Sequence, residues 1–232
     1  MPVDDRFVGL APRGRRDDEM SAEDLPDDVI RMPPSRKGVM RKTAIIDATL
    51  RIIGKEGIAG VSMRVVSAEA SVPLGTVTYY FNDKEELLEA AFSRHTQRET
   101  ARIVDAVARL GSAMTSADLA RGLADFVIEG LSDYREQLIT EYQFLGESAR
   151  QENLHRASTA WLTSLTAHLE SIVIDLSSSS PKTDARLILA VLAGLEVDNL
   201  GVRPRAATRR AVQAVLERLF EGLSELWVRE SG

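Results

Sequence analysis

The residues of this chain best suited to chemistry lie in Val72-Pro73-Leu74-Gly75-Thr76-Val77-Thr78-Tyr79-Tyr80-Phe81, and the chemistry they suit is recognition. Leu74, Gly75 and Thr76 lead the segment, and the small pair lets a helix backbone come close to a surface. Thr76 adds a hydroxyl for a phosphate or base edge and a methyl for a thymine. Tyr79 and Tyr80 follow one turn later, pointing about 100° apart on a helix, so at least one must face outward. A phenol hydroxyl there is a good phosphate donor. Val77 and Phe81, four residues apart, already supply the inner stripe.

Two cations flank this segment. Arg64, in the first turn of the preceding helix, can reach a phosphate or a guanine edge. Lys84 begins the following helix, where a cation opposes the macrodipole and an isolated fold gains nothing from it. A phosphate bound there by both the ammonium and the free N–H groups accounts for it. An acidic partner one turn on is not available, because Leu87 and Leu88 occupy those positions.

Catalytic constellations are missing from the sequence. Zero cysteines exclude a thiolate nucleophile, a disulfide scaffold and a cysteine-ligated zinc site. His95, His155 and His168 are scattered, Gly54, Gly57 and Gly60 end a helix, and Glu85-Glu86 suits a first helical turn. No enzyme, metal site or cofactor is expected.

The 232 residues carry a formal charge of −6, unevenly spread. Residues 39–84 hold six basic groups (Arg41, Lys42, Arg51, Lys55, Arg64, Lys84) against four acidic ones (Asp47, Glu56, Glu69, Asp83), while both flanks are net acidic. One short segment is thus the basic part of an acidic molecule. Residues 1–38 contain five of the eight prolines and little apolar periodicity, and read as a flexible arm whose Arg31, Arg36 and Lys37 are solvated.

Beyond the arm the pattern is helical, and the expected class is all-α with about nine helices. A first helix over 41–55 carries Ile45, Ala48 and Ile52 beside Ile46, Leu50 and Ile53. Ser62 caps a second helix to Ala70, and Pro73 opens a third to Tyr79 or Tyr80. Two short helices around a tight turn make a helix-turn-helix. Asp83, with Glu86 three residues on, starts a fourth helix to about Leu110, similar to a capping box. Further helices are expected near 116–131, 133–150, 152–177, 182–200 and 205–229.

Residues 41–88 resemble the N-terminal domain of the tetracycline-repressor (TetR) family of bacterial transcription regulators. The resemblance is carried by Gly57-Ile58-Ala59-Gly60-Val61-Ser62-Met63-Arg64, by Val72 to Phe81 and by Asp83-Lys84-Glu85-Glu86-Leu87-Leu88. It implies a three-helix head at 39–84 that binds double-stranded operator DNA, and a larger helical bundle at 85–232 that binds a small-molecule effector and dimerises. It also implies phosphate contacts at Thr43, at the start of the first helix, and at Ser62. Where the family usually carries Ala-Gly at the turn, this chain has Ala70-Ser71, so Ser71 is expected in a left-handed conformation costing roughly 1–2 kcal/mol. Ser67 replaces a common Ala, Pro73 a usual capping Ser, and Thr78 a frequent Tyr.

Helices 182–200 and 205–229 have more apolar surface than one neighbour can cover and are the expected homodimer interface, which pairs the heads for a palindromic operator and a repressor's action. His95, Tyr142, Phe144 and Trp161 are the candidate pocket residues, being rings that mostly end in a polar tip. Glu196, Asp198 and Asn199 interrupt the apolar helix near its end, either as polar pocket groups or, the reading preferred here, as its exposed last turn. With no apolar run long enough to span a bilayer and no leader-like start, the expected location is the cytoplasm and no membrane partner is expected. The rival reading is an all-α ligand-binding or scaffold protein without DNA binding, on account of the altered turn.

Overall fold

The computed structural model describes residues 36–111 and 114–230. Among these residues there are nine α-helices and no strand. They are α1 (Arg36–Glu56), α2 (Met63–Glu69), α3 (Leu74–Tyr80), α4 (Lys84–Leu110), α5 (Ser116–Ser132), α6 (Arg135–Ser148), α7 (Glu152–Asp175), α8 (Pro181–Asn199) and α9 (Ala206–Glu230). A single 3-10 turn, Ile58–Gly60, joins α1 to α2.

The boundaries follow local chemistry. Ser62 accepts a hydrogen bond from the Val65 N–H, capping α2. Asp83 does the same for Glu86 at the start of α4, and the Glu86 carboxylate in turn accepts from the Asn82 N–H at 2.8 Å, one residue earlier than a full capping box requires. Thr115 and Asp118 form the complete reciprocal box on α5. Gly57 closes α1 at φ 76°, a left-handed position that suits a residue without Cβ.

One boundary corrects the sequence reading. The helix starts at Arg36, two residues after Pro34, because nothing in Arg36-Lys37-Gly38-Val39-Met40 stops it. Arg36, Lys37 and Gly38 therefore belong to α1, while the rest of the proposed arm, residues 1–35, lies outside the described residues. Thr43 consequently sits two turns inside α1 and not at its start.

Two apolar cores position the rest. The first gathers Ile45, Ile52 and Ile53 of α1, Val66 of α2, Val77 and Phe81 around α3, and Leu87, Leu88 and Phe92 of α4. It continues without a break into Phe144 of α6 and Trp161 of α7. The second packs Leu119, Val127 and Leu131 of α5 on Leu216, Phe220, Leu223 and Trp227 of α9, with Ile188 of α8. Each such side chain, fully withdrawn from water, contributes on the order of 1.5–3 kcal/mol. Arg102 ties α4 to α5: it pairs with Glu99 at 2.5 Å and lies over the Phe126 ring at 3.6 Å.

Candidate DNA-binding face and effector cavity

The turn between α2 and α3 departs from the family pattern and compensates for it locally. Ser71 takes φ 54°, the left-handed conformation that the family's usual Gly at this place implies. Its N–H donates to the Ala68 carbonyl at 3.1 Å and the Val72 N–H to the Ser67 carbonyl at 3.1 Å, a Schellman closure of α2. The Ser67 hydroxyl then donates to the Val72 carbonyl at 2.7 Å, a bond that Ala cannot make. One serine substitution strains the turn and the other fastens it.

This turn sets the aspect of α3. Val77 and Phe81 are buried, as their spacing predicts. Tyr79 is 81% exposed, Tyr80 half-buried, and their rings meet edge to face at 5.1 Å. Leu74, Gly75 and Thr78 are exposed and Thr76 half-buried. Thr78 turns its hydroxyl back to the Leu74 and Gly75 carbonyls. A Cβ built on Gly75 would meet nothing within 4 Å, so packing inside the chain does not require glycine there.

The neighbouring candidates divide. Arg64 and Ser62 are exposed beside this face, although the Ser62 oxygen already caps α2. Among the described residues Arg64 has no hydrogen bond or ion pair, whereas Arg51 pairs with Glu69 at 2.7 Å and Lys42 lies 5.3 Å from the Phe81 ring centre. Lys84 corrects its sequence reading, because the fold does gain from it. Its ammonium donates to the Ile58 carbonyl at 3.0 Å, pinning the 3-10 turn to the start of α4. Thr43, half-buried inside α1, has no helix N-terminus beside it to help bind an anion.

The second feature is a cavity of about 490 Å³ among α4, α5, α6, α7 and α8. Its walls are mostly apolar, with Ile103, Leu123, Phe126 and Leu165 among them, and its polar groups include Glu99, Glu141, Tyr142, His168, Ser171 and Glu196. The Tyr142 phenol donates to Glu196 at 2.8 Å and to the Ala193 carbonyl at 3.3 Å. Burial, then the neighbouring Glu141 charge, push the Glu196 carboxyl up to about 7. Burial raises Glu141 as well, and the Tyr142 phenol is raised first by burial and then by the Glu196 charge.

Of the four pocket candidates, Tyr142 and Trp161 line this cavity. Phe144 does not, because two residues along a helix is about 200° of rotation from Tyr142. It packs on Phe92 with ring centres 5.1 Å apart. His95 also lies behind the wall, near Phe144 and Trp161, its Nε2 3.6 Å from the Glu141 carboxylate. Glu196 corrects a further expectation: it is only 7% exposed and faces inward, while Asp198 is exposed. Sequence reasoning passed over Glu99 and Glu141, and the one available signal was their helical phase with buried residues, Glu99 four positions after His95 and Glu141 three after Leu138.

Residues 45–91 match the family model for bacterial regulatory proteins of the tetR family, and residues 114–222 match the tetracycline repressor-like C-terminal domain. The HTH-type transcriptional regulator BetI of Paraburkholderia phytofirmans is 32% identical over 173 residues, covering 74% of this chain and 85% of that one. The chain belongs to the TetR family.

Two solved TetR-like structures share the arrangement. A transcriptional regulator of Streptomyces coelicolor A3(2) is 30% identical with a TM-score of 0.64, covering 78% of this chain and 98% of its own. The multidrug binding protein EbrR, complexed with ethidium, is 33% identical with a TM-score of 0.62, covering 77% and 98%. As a TetR-family member the chain is a ligand-responsive, DNA-binding transcription regulator and not an enzyme. Regulators of this family bind DNA and small ligands, usually as dimers. Among the described residues no helix is long and apolar enough to cross a membrane.

Proposed function

We propose that this TetR-family chain is a repressor that binds a palindromic operator as a homodimer and leaves it when a small molecule fills the cavity among α4 to α8. The head is the segment 39–84 and the body the segment 85–232. The observation that carries the reading is Gly75, which no contact inside the chain calls for, on the exposed leading end of a helix that also presents Tyr79. Close approach of that backbone to a duplex gives the missing cause.

In this reading Leu74, Gly75 and Thr76 meet the major groove, Arg64 a phosphate or guanine edge, and Tyr79, Tyr80, Ser62, Thr43 and Lys84 the phosphate backbone. Lys84 keeps two of its three protons for a phosphate after serving Ile58. Tyr142 and Trp161 contact the effector directly, and His95 and Phe144 support the wall behind them. A repressor acting on an operator in this way works in the cytoplasm.

The dimer joins α8 and α9 of two copies. Leu187, Ala190, Gly194 and Val197 make an exposed small and apolar stripe on α8, and Ala211, Val215, Gly222 and Leu226 make another on α9. Gly194 and Gly222 have open space where a Cβ would stand, so backbones can approach there. Two heads on a two-fold axis fit half-sites about 34–36 Å apart, or a multiple.

A mobility shift with duplex from the region upstream of the protein's own gene tests this. Wild type is expected to shift the duplex at low salt, and Thr76→Ala to change which half-site sequence is preferred. Thr76→Ala that binds every sequence as the wild type does removes Thr76 from the reading.

A further inference from the structure

The charge inside the cavity does not balance. Arg102 is the cation nearest to it, and its guanidinium is spent on Glu99, with Nε 3.0 Å and Nη2 2.5 Å from the same carboxylate oxygen, and on the Phe126 carbonyl. That leaves Glu141, from α6, and Glu196, from α8, as two further carboxylates facing one apolar space. The polar and charged groups around them come from three helices of the wall. They are Glu99, Arg102 and His95 on α4, Tyr142 on α6 and His168 and Ser171 on α7, while α5 contributes only apolar side chains and glycine. Tyr142 gives Glu196 one hydrogen bond, and His95 approaches Glu141 from behind the wall.

Two acids in a low-dielectric space cannot both ionise cheaply, and an enclosed carboxylate without a cation is costly. The raised Glu196 and Glu141 carboxyls are the consequence. A single positive charge placed between them removes the repulsion, and an apolar body around that charge fills the walls. We propose that the cavity takes a lipophilic monocation, its charge received between Glu141 and Glu196 and its hydrocarbon or aromatic surface by Ile103, Leu123, Phe126 and Leu165. This rests on the reading of the cavity as the effector site and names the effector's chemical class. A volume of about 490 Å³ suits a drug-sized molecule of that kind.

Isothermal titration of the full chain with three probes of related shape tests it: tetraphenylphosphonium, tetraphenylborate and triphenylphosphine oxide. The cation is expected to bind about tenfold or more tightly than the anion, and more tightly than the neutral oxide. In the double variant Glu141→Gln, Glu196→Gln the cation's advantage over the neutral oxide is expected to vanish while the oxide binds as before. Both changes preserve side-chain volume, and the single variant Glu196→Gln, which keeps the Tyr142 hydrogen bond, gives the same readout should the double variant not fold.

Binding of the oxide or the borate as tight as the cation, a preference that survives both substitutions, or no heat with any probe overturns the assignment. The first of these results leaves the effector reading standing. Conversely, tight cation binding that leaves a preformed operator complex intact refutes the effector reading and keeps the cation site.

Discussion

Gly54 of α1 lies so close to Thr140 of α6 that a Cβ at Gly54 would stand 3.2 Å from the threonine hydroxyl and 3.2 Å from the Glu136 carbonyl. Helices α1 and α6 therefore touch backbone to backbone at this crossing, and Asp47 of α1 accepts from Arg98 of α4 at 2.7 Å. Residue 140 is followed by Glu141 and Tyr142, which line the cavity. In the function proposed above, a molecule that displaces α6 presses directly on α1, and differential binding of a few kcal/mol between two head spacings is enough to release DNA.

Gly54→Val is expected to destabilise the chain by about 1–3 kcal/mol, because the Glu136 backbone cannot yield as a side chain would. Urea titration followed by circular dichroism measures it. An unchanged midpoint shows that the crossing is loose.

At the α2–α3 turn, Ser71→Gly relieves a left-handed serine and is expected to raise stability by up to about 1 kcal/mol. Ser67→Ala removes the bond to the Val72 carbonyl and is expected to lower it by about 0.5–1.5 kcal/mol. The same denaturant titration reads both, and a loss on Ser71→Gly contradicts the strain.

The fold shows where sequence and the family resemblance were enough. Alternation of apolar positions at three and four residues placed all nine helices, and Val66, Val77, Phe81, Leu87 and Leu88 were assigned inward and are buried. The left-handed Ser71 followed from the resemblance, because it stands where the family usually carries Gly. What escaped depends on groups far apart in the chain. Lys84 reaches Ile58 across 26 residues, and the cavity's acids come from α4, α6 and α8. Glu196 interrupts an otherwise apolar helix, a pattern that fits a pocket group as well as an exposed last turn, and only its packing against Tyr142 of α6 decides between them. Phe144 and Tyr142 were grouped as rings, yet the helix turns them to opposite sides.

Tyr79→Phe keeps the exposed ring and removes only the hydroxyl. It is expected to leave the melting temperature unchanged and to weaken binding to all duplexes alike, by a few-fold. Lys84→Ala is expected to do more, lowering stability through the lost Ile58 bond and reducing the salt slope of DNA binding by about one. Equal salt slopes for wild type and Lys84→Ala exclude a phosphate contact there.

The Glu196 carboxyl is raised to about 7, far above its value in an unfolded chain, so between pH 4.5 and 7 the native state holds a proton that the unfolded state has lost. Stability is fully present below that window and falls as pH rises through it. Glu141 shifts in the same direction and adds to the slope. Melting temperatures measured from pH 5 to 8 should therefore decline, and Glu196→Gln should flatten the decline. A wild-type profile that rises across this range contradicts the buried acid pair.

The measurement that bears most directly on the proposed DNA-reading face of α3 is a footprint of the full chain on duplex from upstream of its own gene. Two protected tracts of matching sequence, centred one helical turn or a multiple apart and lost together in Thr76→Ala, are the expected result. A single asymmetric tract, or no protection at a salt concentration where the dimer is intact, contradicts it.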